Sequence, residues 1–119
     1  MKEVKKMRNS EEGLKALREW LGYDVREFEE SGYSFVYLPG LKMPPGCLPV
    51  QTDALLCPQP HSGYSSRLFF KERVKTPKPV NWNGQVFVLG HQWYAFSYSN
   101  VINTSLLDMV INHLRGMVA

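Results

Sequence analysis

Cysteine is scarce in this chain. Its two residues, Cys47 and Cys57, are too few for a disulfide framework or a four-cysteine zinc site. Long apolar runs are missing as well: none approaches the roughly 20 residues that cross a bilayer. The charged start, Met1-Lys-Glu-Val-Lys-Lys-Met-Arg, leads into no apolar leader core. These shortages predict a cytoplasmic protein with reduced thiols and no membrane partner. Excess charge of one sign is also small. Fourteen Lys plus Arg against eleven Asp plus Glu leave +3, short of the clustered charge of a dedicated nucleic-acid binder. There is no Gly-rich phosphate loop, no Gly-x-Ser-x-Gly elbow and no paired carboxylate in apolar context, so no cofactor is expected.

What is present suits one domain over residues 1–119. Hydrophobic residues make up 44% and charged residues 21%, a globular balance, and eight Pro with nine Gly imply many turns. Asn9, or alternatively Ser10, is placed to cap a first helix, with Glu12 three residues after Asn9. Leu14, Leu17 and Leu21 then form its apolar stripe, and Gly22 stops it. Strands are expected over Tyr23 to Glu30, Tyr33 to Leu38, Thr52 to Cys57 and Arg67 to Val74. Ser31-Gly32 gives a hairpin turn between the first two, and charge on the first marks it as an edge. Lys75 to Gly84 reads as a loop of low regularity, Gln85 to Leu89 as a candidate short strand that Gly90 breaks, and Gln92 to Tyr98 as an aromatic-rich stretch that is either strand or irregular chain. A closing helix is capped by Thr104 or Asn103, with Asp108 in its first turn and Leu107, Val110, Ile111, Leu114 and Val118 as its stripe. The fold class is α+β: helix, four-stranded antiparallel meander, irregular aromatic segment, helix.

Few residues point to chemistry. Cys57 lies in the apolar run Ala-Leu-Leu-Cys-Pro and is expected in the core. Cys47, in a proline-rich loop, is expected to be exposed, with no cationic neighbour to activate it. His61 and His91 fall in turns, where a functional imidazole or a plain surface one are both at home. His113 is expected beside solvent-facing Asn112. The three histidines match no local metal-ligand spacing, so no metal site is expected. Arg67, Lys71, Arg73, Lys75 and Lys78, interleaved with Phe69 and Trp82, read as a solvated strand face rather than a nucleic-acid surface; an acidic protein patch is another possible partner.

One set of motifs resembles a known family. Leu38-Pro-Gly-Leu-Lys-Met-Pro-Pro-Gly follows the Tyr23 to Leu38 hairpin. Leu55-Leu-Cys-Pro then leads to Gly63-Tyr64 and the aromatic strand Leu68-Phe-Phe. Together these resemble the bacterial ubiquitin-conjugating-enzyme-like proteins of subgroup E, over about residues 14–114. The resemblance implies a UBC-like fold and a place in a bacterial ubiquitin-like conjugation system. Its implied partners are a ubiquitin-like protein, an activating-enzyme-like protein and a metalloprotease-like protein. Ubiquitin-conjugating enzymes carry a cysteine after the fourth strand, whose thiolate takes up a ubiquitin-like C-terminus as a thioester and passes it to lysine. The corresponding segment here, Trp82 to Asn100, has no cysteine, and Phe96-Ser-Tyr-Ser stands where subgroup E tends to show a Trp-Ser-Arg-His-like stretch. The favoured expectation is a non-catalytic binding module. The alternative is a transfer enzyme with a relocated nucleophile, Cys47 or Cys57, served by His61 or His91 as base.

Overall fold

A computed structural model describes residues 2–99 and 105–118, with side chains from residue 11 onward. Its elements are α1 (Lys2–Leu21), β1 (Arg26–Glu30), β2 (Tyr33–Lys42), β3 (Gln51–Cys57), β4 (Arg67–Phe70), β5 (Trp82–Val88), β6 (His91–Phe96) and α2 (Leu106–Gly116). The α+β class stands, but the antiparallel sheet has six strands, in the order β1-β2-β3-β4-β6-β5. The first four form the expected meander. The remaining two form a hairpin: β5 takes in most of the candidate strand from Gln85, β6 makes the aromatic stretch from Gln92 a strand, and β6 lies beside β4 through Phe70 and Tyr94. Gly90 ends no structure: Leu89 and Gly90, both in the left-handed region (φ 53° and 68°), form the tight turn between β5 and β6. Trp82, Gly84, Val86 and Val88 alternate inward along β5.

Local signals explain most boundaries. The α1 helix runs back past Asn9 to Lys2, because the Lys-, Glu- and Met-rich start sustains helix without a break. Gly22 ends it at φ 144°, its N–H donating to the Arg18 carbonyl. Ser31 and Gly32 (φ 56° and 83°) turn β1 into β2, setting Glu30 opposite Tyr33. β1 starts at Arg26 rather than Tyr23: Tyr23 is 91% exposed in a turn, whereas Val25 is buried and its carbonyl accepts from Arg18 Nε. β2 runs past Leu38 to Lys42 across a bulge at Pro39-Gly40, pinned by Gly40 N–H donating to Asp53 Oδ1 at 2.9 Å. β4 stops at Phe70 instead of Val74. Lys71 N–H still donates to the Asp53 carbonyl, then the charged Lys71-Glu72-Arg73 bends away and Lys75 pairs with Leu48.

Both sheet faces are buried, by different means. On one, Leu14 and Leu17 of α1 and Val110 and Leu114 of α2 pack with Val36, Leu38, Leu56, Leu68 and Phe70. On the other, Phe35, Leu55, Cys57 and Phe69 meet Val88, Trp93 and Ala95 of the β5–β6 hairpin. The sheet therefore curls over its own second face, and Leu89 N–H at one hairpin tip donates to Glu30 Oε1 at the other. Asn103 and Thr104 lie outside the described residues. Ser105 caps α2, its hydroxyl accepting from Asp108 N–H at 3.1 Å. The buried stripe of α2 is Met109, Val110, His113 and Leu114, one position round from the expected one. Among the described residues, no helix is long and apolar enough to cross a membrane.

Candidate functional site

The sequence candidates are scattered. Cys57 ends β3 at full burial, as expected; its thiol lies 3.8 Å from the Gln59 carbonyl, and burial pushes its pKa up. Cys47 is 2% exposed, which corrects the expectation of a surface thiol. The cause is a fold-back of its loop. Gly46 (φ 88°) turns so tightly against Pro77 that a Cβ would lie 2.7 Å from that ring, and Leu48 exchanges backbone hydrogen bonds with Lys75. Cys47 thereby joins the core with Met43 and Val74, and burial raises its pKa too. His61 packs between Tyr33 and Phe69, tilted to the first and edge-on to the second, at 4.4 and 5.4 Å between ring centroids. Burial lowers its pKa, and the charge of Arg67 lowers it further. His91 is exposed at the β5–β6 turn, its Nδ1 2.6 Å from the Gln92 carbonyl. Among the described residues no group of three His, Cys, Asp or Glu is placed to hold a metal ion.

A polar cluster appears instead where β4, β5, β6 and α2 converge. Arg67, expected on a solvated face, is 2% exposed. It opens β4 with its guanidinium packed against Gly84 of β5, where a Cβ would lie 2.9 Å from it and force the side chain to shift. Nη2 of Arg67 donates to Asn83 Oδ1 at 2.7 Å and to the Phe96 carbonyl at 3.1 Å. These acceptors are neutral, and desolvation lowers even this pKa.

Tyr64 lies on top. Ser62 and Gly63 take left-handed conformations (φ 52° and 87°), letting His61 and Tyr64 exchange backbone hydrogen bonds, and this two-residue turn sets the Tyr64 ring 4.1 Å over the guanidinium. Its oxygen accepts from Asn83 Nδ2 at 2.9 Å and lies 2.7 Å from Ser97 Oγ. The contact with Ser97, then that with Asn83, then the charge of Arg67 draw the phenol pKa below its ordinary value. His113 of α2 is buried nearby, its Nε2 3.1 Å from Ser66 Oγ. Burial and the Arg67 charge push its pKa down to about 4.

Sequence reasoning missed Arg67, Asn83, Ser97 and His113 as a group, because they come from β4, β5, the exit of β6 and α2, all distant in the chain. The one local signal was Gly84 inside an alternating strand, which marks close backbone approach. A cleft of about 500 Å³ lies elsewhere, lined by Arg26, Phe28, Tyr37, Pro39 and Leu89 among others, and holds none of the sequence candidates. No protein-family model, curated protein or solved structure matches the chain.

Proposed function

We propose that this chain is a ubiquitin-conjugating-like module of a bacterial ubiquitin-like conjugation system, one that docks its partners and forms no thioester. The carrying observation is the state of the thiols. Both cysteines are buried in apolar clusters, and burial keeps them protonated. A thiol enters transfer as an accessible thiolate, so neither is prepared for that role. Residues 82–99 offer no other, since they fold into the β5–β6 hairpin and its exit without a cysteine. The resemblance of the Leu-Pro-Gly and Gly-Tyr motifs to subgroup E supports the reading, as does an α+β order that opens and closes on a helix, although the sheet has six strands rather than the expected four.

The partners this reading names are a ubiquitin-like protein and an activating-enzyme-like protein, with a metalloprotease-like protein of the same system as a further one. The test is a binding titration of the purified chain against each such protein encoded by neighbouring genes. Saturable binding to the ubiquitin-like or the activating-enzyme-like protein, retained in Cys47→Ala, is the expected result. Absence of binding to all of them overturns the reading.

A further inference from the structure

Ser97 and Tyr64 meet at the surface in the arrangement of an activated nucleophile: a hydroxyl, a base within hydrogen-bond reach, and a third group orienting the base. Ser97 is exposed, its backbone fixed by its N–H donating to the Asn81 carbonyl at 2.7 Å. Its Oγ lies 2.7 Å from Tyr64 Oη. Asn83 orients the phenol by donating to that oxygen, and Arg67 orients Asn83 by donating to its carbonyl. A chain of contacts thus runs from the buried cation to the exposed hydroxyl. The positive charge under the ring favours loss of the phenol proton, a state in which the oxygen keeps the Asn83 donation and is free to accept from the Ser97 hydroxyl 2.7 Å away.

We propose that Ser97 is an acyl-accepting nucleophile, with Tyr64 as its base, toward activated acyl donors of the thioester or aryl-ester class. In the step, the Ser97 Oγ–carbon bond forms and the bond from the acyl carbon to the leaving sulfur or aryl oxygen breaks. The Oγ proton passes to the Tyr64 phenolate and from there to the leaving group. The product is an oxyester on Ser97, which reducing agents leave intact. Asn83 and Arg67 are positioning residues. Asn83 Nδ2 is engaged by the phenol and Arg67 Nη2 by Asn83 Oδ1 and the Phe96 carbonyl, so the acyl donor must bring its own good leaving group. This step uses no thiol and goes beyond the docking reading without resting on it.

The test uses the full chain and p-nitrophenyl acetate, with release of p-nitrophenolate followed by absorbance and the acetylated side chain mapped by mass spectrometry. Ser97 should be acetylated well ahead of Ser62 and Ser99, which are exposed as well. Ser97→Ala should remove that product. Tyr64→Phe keeps the ring over Arg67 and should slow Ser97 acetylation by about a hundredfold, flattening its pH profile. Asn83→Ala should move the midpoint of that profile upward, which a merely structural role would not do. Acetylation of Ser97 no faster than of Ser99, or unchanged in Tyr64→Phe, overturns the proposal. Because no partner protein is present, that failure is separate from a failed binding titration.

Discussion

The two thiols and the two paired hydroxyls of this chain sit in opposite surroundings. Cys57 is walled by Phe35, Phe69 and Trp93 on the self-covered face of the sheet, and Cys47 is folded under residues 74–77. Both are apolar sites that favour the neutral thiol. Tyr64 and Ser97 lie outside, over a buried guanidinium and an oriented amide that favour the ionised phenol. Reactivity follows the neighbours rather than the side chain: the better intrinsic nucleophile is silenced by burial, and the poorer one is placed beside a base.

Removing the cation should disturb this contrast most. Arg67→Ala leaves Asn83 Oδ1 and the Phe96 carbonyl without their donor and opens a void under Tyr64. Its expected cost is about 4 kcal/mol in urea unfolding. A loss under 1 kcal/mol would show that the cation does not organise the cluster.

Protonation of His113 comes next. Its folded pKa, about 4, lies below the ordinary 6.5, so between those values the unfolded chain binds the extra proton. Stability is therefore fully present above pH 6.5 and is lost as pH falls toward 4, by about 3 kcal/mol in all. Urea midpoints at pH 7.5 and pH 4.5 read the slope, and His113→Gln should remove most of it. An equal slope in that variant contradicts the assignment.

Cys57→Ser sharpens the thiol side. A hydroxyl forced into that apolar cluster should cost about 2 kcal/mol, whereas a neutral effect would mean that the site is wetter than its packing. The smallest effect belongs to Ser97→Ala, an exposed change expected to stay within about 0.5 kcal/mol. A thermal shift beyond that range would make Ser97 a structural residue and weaken its reading as a reactive one.

Much of the frame was legible in the sequence. The Ser31-Gly32 turn, the Gly22 stop, the four-strand meander and the core position of Cys57 all follow from local periodicity and turn chemistry. The β5–β6 hairpin was harder to read, because Trp82, Asn83 and Gly84 dilute the alternation and Gly90 looks like an interruption rather than a turn. Burial of Cys47 depends on Pro77 and Val74, some thirty residues away, which nothing in Pro-Pro-Gly-Cys-Leu-Pro announces. Arg67 misleads for the same reason. A charge in an alternating strand reads as solvent-facing until a glycine on another strand makes room for it.

The most direct test of the docking account is a charging assay. The chain is mixed with the activating-enzyme-like and ubiquitin-like proteins and ATP, then run on gels with and without reducing agent. The predicted result is a complex in solution and no adduct that reducing agent removes. A reducing-agent-sensitive adduct that disappears in Cys47→Ser or Cys57→Ser would contradict it and make the chain a thioester-forming transfer enzyme.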